Sequence, residues 1–178
     1  MFRIAATPAL LAIGLFAGCS SAPRTPAEAD NIRTAIEQAG LKDVSVTQDR
    51  DKGVVTLGGH VATEADKANA DQIAHSLAAG QVVANQVAVL PANDSGTAKT
   101  VNADLDKGID NNLDAALISG GYKKDIHHSV KNGVVTLTGT VDTGSQRAQV
   151  QTIAQGVPNT LQIVNEIQTL HQKATSTN

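Results

Sequence analysis

The sequence predicts an α+β protein built from two tandem αββαβ domains, each a small mixed sheet with helices on one face. Two observations support this fold class. Residues 53–90 and 133–170 align without gaps and are identical at 13 of 38 positions, which indicates an internal duplication. Within each copy, apolar residues recur at helical spacing, then at strand spacing, and then at helical spacing again.

The first element of each copy is an amphipathic helix. Apolar residues recur along one face of it, and a glycine follows as a helix stop. The helix covers Asn31–Ala39 before Gly40 in the first copy, and it contains Leu113, Ala116 and Leu117 before Gly120 in the second.

A β-hairpin follows this helix. Residues 51–53 and 131–133 have turn chemistry, and the Asn-Gly pair of the second copy is the stronger hairpin signal. The next strand begins directly after each turn, and a glycine near its end predicts a bulge or a close backbone approach. The glycines with these structural roles are Gly53 and Gly133 in the turns, and Gly59 and Gly139 on the strands.

A longer helix and a last strand complete each copy. Thr63 and Thr143 are N-cap candidates, and Gln146 completes a capping box with Thr143. Each helix has an apolar stripe at spacing i, i+3, i+4, i+7. The stripes occupy the same register: Ala70, Ile73, Ala74 and Leu77, against Val150, Ile153, Ala154 and Val157.

The N-terminus has the pattern of a lipoprotein signal peptide over residues 1–18. Its uncharged run, residues 4–17, is 14 residues long, shorter than the roughly 20 that a membrane-spanning helix needs. Residues 15–19 (LFAGC) resemble the lipobox of bacterial lipoproteins, with Phe16 where leucine is usual. This resemblance implies that Cys19 is acylated and becomes the first residue of the mature chain. The alternative is an ordinary cleaved signal with an incidental free cysteine.

The remaining boundaries follow from composition and periodicity. Residues 19–29 are predicted to form a lipidated flexible tether, rich in Pro, Ala and Ser. The domains are predicted at 30–91 and 103–171. Residues 92–102 are polar and lack periodicity, so a linker that permits relative motion is expected. Residues 172–178 are expected to be a disordered tail.

Composition excludes several functions. A net charge of −3 and an aromatic content of 2% argue against nucleic-acid binding.

Two motifs that could indicate catalysis or metal binding are also rejected. Asp142-Thr143-Gly144 matches the aspartic-protease fingerprint, but the repeat partner of Asp142 is Ala62, so the two copies cannot supply the carboxylate pair. His127 and His128 are adjacent on a strand and point to opposite faces. We therefore expect exposed histidines, no metal site, no cofactor and no enzymatic activity.

The second copy groups its basic residues near its first hairpin. Lys123, Lys124 and Lys131 are predicted to converge at one end of the sheet, with Arg147 on the following helix. Each such charge contributes about 1 kcal/mol of attraction to an anionic leaflet. The sequence thus indicates a lipid-binding surface at these four residues, and the alternative is a solvated turn.

The motif Gly-Val-Val-Thr-Leu-x-Gly-x-Val, the capped helix with Ile-Ala and the strand Val-x-Asn-x-Val together resemble the BON domain of bacterial envelope and stress proteins. Two such units behind a lipobox are similar to dual-BON outer-membrane lipoproteins (DolP-type). The resemblance implies a protein anchored in the outer membrane and facing the periplasm, which binds anionic phospholipid, outer-membrane proteins or both and supports membrane integrity or osmotic-stress responses. The alternative is a protein–protein adaptor for envelope assembly without headgroup recognition.

Overall fold

The computed structural model describes residues 24–170. The predicted signal peptide, Cys19 and the predicted tail 172–178 lie outside the described residues. The first repeat contains α1 (Ala29–Gln38), β1 (Val44–Asp49), β2 (Val54–Val61), α2 (Glu64–Leu77), β3 (Val82–Asn85) and β4 (Ala88–Val89). The second repeat contains α3 (Ser95–Ser119), β5 (Ile126–Lys131), β6 (Val134–Val141), α4 (Gly144–Gln155), β7 (Gln162–Asn165) and β8 (Gln168–Thr169).

Both repeats have the same mixed sheet, which confirms the predicted fold class. In the first repeat, β1 pairs antiparallel with β2, while β3 and β4 pair parallel with the other side of β2. The second repeat reproduces this arrangement with β5 to β8. The last strand is broken in each repeat by an asparagine, Asn85 or Asn165, whose Oδ1 accepts a hydrogen bond from the backbone two residues later.

The helices cover one face of each sheet and form its core. Leu57 and Leu137 are fully buried at equivalent positions, and so are the small residues Ala74 and Ala154 on the helices above them. Alanine at this contact lets the helix approach the sheet closely. Ile73 and Ile153 are only partly buried at the edges of the two cores.

Local signals set the ends of these elements. Thr63 accepts a hydrogen bond from the Asp66 amide, and Thr143 forms a complete capping box with Gln146. Asn132 and Gly133 form a two-residue turn with φ of 48° and 76°. Both positive φ values are those that a type I′ hairpin turn requires.

The uncovered faces of the two sheets pack against each other. Val54 and Ala84 from the first repeat form a buried cluster with Val134 and Val164, their equivalents 80 positions later. Gln162 adds polar contacts between the repeats. Its Oε1 accepts a hydrogen bond from the backbone N–H of Asn85 at 3.1 Å, and its Nε2 donates to the backbone carbonyl of Val83 at 2.5 Å. The side chain therefore satisfies part of the open edge of β3.

The predictions of a linker over residues 92–102 and of a flexible tether over residues 19–29 are each wrong in part. Residues 95–102, expected to be a linker, form the first two turns of α3, so a single 25-residue helix leads into the second repeat. Residues 24–28, expected to be part of a flexible tether, are hydrogen-bonded to the first repeat. Both segments are fixed by tertiary contacts rather than by their own periodicity.

Candidate functional site

Lys123 belongs to a charged cluster between α3 and β5. Its ammonium contacts the Asp114 carboxylate, and this hydrogen bond holds the pKa of Asp114 below its ordinary value. His128 Nε2 lies 3.0 Å from Asp110 and 3.4 Å from Asp114. The His128 side chain is only 5% exposed, so the expectation of two exposed histidines is wrong for this residue. The positive charge of Lys123 is thus largely neutralised by the Asp114 carboxylate on α3.

Lys124 and Lys131 are exposed, and neither forms an ion pair with another residue in the range 24–170. Lys124 precedes β5, whereas Lys131 is its last residue. The six residues of β5 span about 17 Å along the backbone, so Lys124 and Lys131 lie near opposite ends of this strand. The prediction that Lys123, Lys124 and Lys131 converge at one end of the sheet is therefore wrong.

Arg147, the fourth predicted basic residue, lies in the first turn of α4. Its Nη2 donates to the Asn165 carbonyl at 2.9 Å, and its Nε lies 3.5 Å from Asn165 Oδ1. The guanidinium therefore ties α4 to the end of β7. Arg147 remains solvent-exposed, but part of its donor capacity is used within the protein.

The four glycines singled out from the sequence lie at tight backbone positions. All four have positive φ. A Cβ at Gly59 or Gly139 would lie deep inside the van der Waals radius of a backbone carbonyl oxygen, that of Asp43 or Asp125 respectively. These glycines are architectural, because they allow the start of the first strand to approach the second.

An apolar groove lies where the two repeats meet, and sequence reasoning missed it. The groove has a volume of about 550 Å³ and lies between α2, β4, the first half of α3 and the β5–β6 turn. Three large apolar side chains line it while remaining exposed: Val101 at 49%, Leu105 at 47% and Leu161 at 73%. Because α3 was not predicted to begin before residue 103, its contribution to this groove could not be foreseen.

The charged residues that line the groove are mainly acidic. Glu64 and Asp94 lie on it with a single lysine, Lys67. A third acid, Asp106, accepts hydrogen bonds from the amides of Asn132 and Gly133 at 2.7 and 2.8 Å. An apolar lining with an excess of acidic over basic side chains fits a partner segment that combines apolar and basic side chains.

Comparison with known families decides the classification. The family model described as "BON domain" matches residues 28–91 and again residues 94–170. The chain belongs to the BON-domain family. Its two BON domains correspond to the two repeats described above. Among residues 24–170, no helix combines the length and the apolar character needed to cross a membrane.

Proteins similar to this chain include one from Escherichia coli and two of solved structure from Chlamydia trachomatis. Osmotically-inducible protein Y of Escherichia coli (strain K12) is 26% identical over 136 residues, which cover 75% of this chain and 66% of that protein. Two structures of CdsD, a structural protein of the type III secretion system of Chlamydia trachomatis, are 18% and 16% identical, with TM-scores of 0.37 and 0.34. The matches cover 79% and 81% of this chain, and 91% and 66% of the CdsD chains.

Proposed function

We propose that this chain is a non-catalytic, lipid-anchored protein of the bacterial cell envelope, located in the outer membrane and facing the periplasm. Its BON domains bind anionic phospholipid, envelope proteins or both, and so support membrane integrity or the response to osmotic stress. The lipobox-like segment ending at Cys19 is the observation on which this proposal rests. The similarity to an osmotically-inducible protein supports the stress role.

The anchor is tested by removing the acylated thiol. Cys19→Ala, exported behind a signal peptide that is cleaved without lipidation, should move from the membrane fraction to the soluble periplasmic fraction. Acyl chains stabilise membrane association by about 0.8 kcal/mol per buried methylene, so their loss is expected to dominate the distribution. Retention of the variant in the membrane at the wild-type level would refute the anchor.

Headgroup binding is supported by the exposed ammonium groups of Lys124 and Lys131. The soluble Cys19→Ala chain should float with phosphatidylglycerol vesicles at low salt and less so at physiological salt, because surface charges are screened over about 8–10 Å. Lys124→Glu should reduce flotation more than Lys42→Glu, a matched exposed lysine of the first BON domain. Equal flotation of the two variants would contradict headgroup recognition by the second domain.

The groove favours the adaptor function as a second candidate. A photo-reactive residue in place of Leu161 should crosslink to one envelope protein in intact cells, and Leu105→Asp should abolish that adduct by making the groove polar. The control position is the exposed Gln155 at the end of α4. An adduct that persists in the Leu105→Asp background would show that the groove is not the contact surface.

A further inference from the structure

The residues just before α1 are held against one end of the first BON domain. We call residues 24–28 the N-terminal strap. The Thr25 amide donates to the Arg50 carbonyl at 3.1 Å, and Arg50 Nε donates back to the Thr25 carbonyl at 2.8 Å. This reciprocal pair fixes the strap to the β1–β2 loop.

Two glutamines complete the attachment of the strap. The Pro26 carbonyl accepts from Gln48 Nε2 at 2.6 Å and from Gln81 Nε2 at 3.2 Å. Gln48 Oε1 in turn accepts from the amides of Glu28 and Ala29, at the start of α1. Gln81 is only 8% exposed. Release of the strap would therefore leave the buried side-chain amide of Gln81 without the Pro26 carbonyl as acceptor, which is unfavourable.

The docked strap leaves only a short chain to the acylated cysteine. Five peptide links join Cys19 to Arg24, and a fully extended chain of that length spans at most about 18 Å. Resting on the proposed anchor at Cys19, we infer that the end of the first BON domain formed by the β1–β2 loop faces the bilayer surface. The strap thereby sets the orientation of the protein on the membrane.

Charge at this end is balanced, so electrostatic attraction is not what orients it. Arg24 pairs with Asp51 at 2.8 Å, and Lys52 lies 3.7 Å from Asp49 and 2.5 Å from Glu166 of the second BON domain. The hydrogen bond to Glu166 raises the pKa of Lys52. An orientation imposed by chain length should persist at high salt, whereas one imposed by headgroup charge should weaken.

The full-length acylated protein offers a direct test, because Cys19 is its single cysteine and acylation consumes that thiol. Ala79→Cys and Lys42→Cys each add one exposed labelling site. Ala79 lies in the loop between α2 and β3, next to the β1–β2 loop, and Lys42 lies at the other end of β1. In vesicles of phosphatidylethanolamine and phosphatidylglycerol with a spin-labelled headgroup lipid, a fluorophore at position 79 should be quenched more than one at 42, at low and high salt alike. Equal quenching, or stronger quenching at position 42, would overturn the orientation.

A second variant separates the strap from the anchor. Gln48→Ala removes hydrogen bonds to both Pro26 and the start of α1, and it should reduce the quenching difference between positions 79 and 42 while the protein still floats with vesicles. An undiminished difference would show that the strap does not orient the domain. Mass spectrometry of the N-terminal peptide reports acylation separately: an unacylated Cys19 overturns the anchor and the orientation together, whereas acylated protein without a positional difference overturns the orientation alone.

Discussion

Gly59 offers the sharpest test of how the repeated fold is built. Its φ is 88°, and that of its repeat equivalent Gly139 is 130°. Alanine at either position would force a side chain into a left-handed backbone region, at a cost of about 1–2 kcal/mol. Its Cβ would also collide with the backbone carbonyl of Asp43 or Asp125, and relief of such overpacking typically costs about 1–3 kcal/mol. The expected destabilisation of each variant is therefore about 2–5 kcal/mol.

Gly58 is the matched control for this prediction. A Cβ at Gly58 would meet only the Ser45 hydroxyl, at 2.9 Å, and a side chain can rotate away where a backbone carbonyl cannot. The second repeat already has a threonine at the equivalent position, 138, while it has glycine at 139. Urea unfolding monitored by circular dichroism should show a large loss of stability for Gly59→Ala and Gly139→Ala and a small change for Gly58→Ala. Equal effects of Gly58→Ala and Gly59→Ala would refute the close-approach argument.

Three further predictions follow from single contacts. Thr143→Ala removes the capping box of α4 and should lower the free energy of unfolding by about 1 kcal/mol, measured by urea titration; no change would mean that the cap is dispensable. Lys123→Ala should raise the pKa of Asp114 toward its ordinary value of about 3.9, measured by carboxyl NMR titration. The pKa of Asp114 is lowered in the folded protein, so the stabilisation by this pair is present above the unfolded-state pKa and is lost as the pH falls through the folded-state pKa. The free energies of unfolding of wild type and variant should therefore converge at acid pH. A difference that stays constant with pH would contradict the pairing. Gln162→Ala leaves the Asn85 amide without its partner and should cost about 1–3 kcal/mol, with faster hydrogen exchange at that amide; unchanged exchange would argue against the contact between domains.

Much of the fold was predictable because short-range sequence patterns determine the turns, the helix caps and the strands of each repeat. The Asn132-Gly133 turn, the Thr143–Gln146 capping box and the alternating strands depend on residues that are close in sequence. The duplication then provides an independent check, since the same signals occur twice at a spacing of 80 residues. Local chemistry and repetition together were sufficient for the element order and the sheet.

The features that were missed depend on contacts distant in sequence. The strap is held by Gln48 and Gln81, two polar residues that have no pattern in common. His128 is buried because Asp110 and Asp114 approach it from another element, α3. Neither arrangement has a signature in the local sequence around the residues concerned.

The start of α3 was missed because Gly96, Thr97 and Thr100 have weak helix propensity. These residues nevertheless belong to α3, whose apolar side chains Val101 and Leu105 line the groove between the two BON domains. Tertiary packing therefore extends a helix that local propensity would begin later. The candidate groove depends on that extension, so it too was beyond the reach of periodicity.

The proposed tether at Cys19 underlies both the membrane location and the orientation proposed for this tandem BON protein. Mass spectrometry of the N-terminal peptide, released from the protein purified out of native membranes, tests it most directly. We expect a peptide that begins at Cys19 and bears acyl chains on the cysteine. A peptide with an unmodified Cys19 thiol, or a mature chain that begins at another residue, would contradict it.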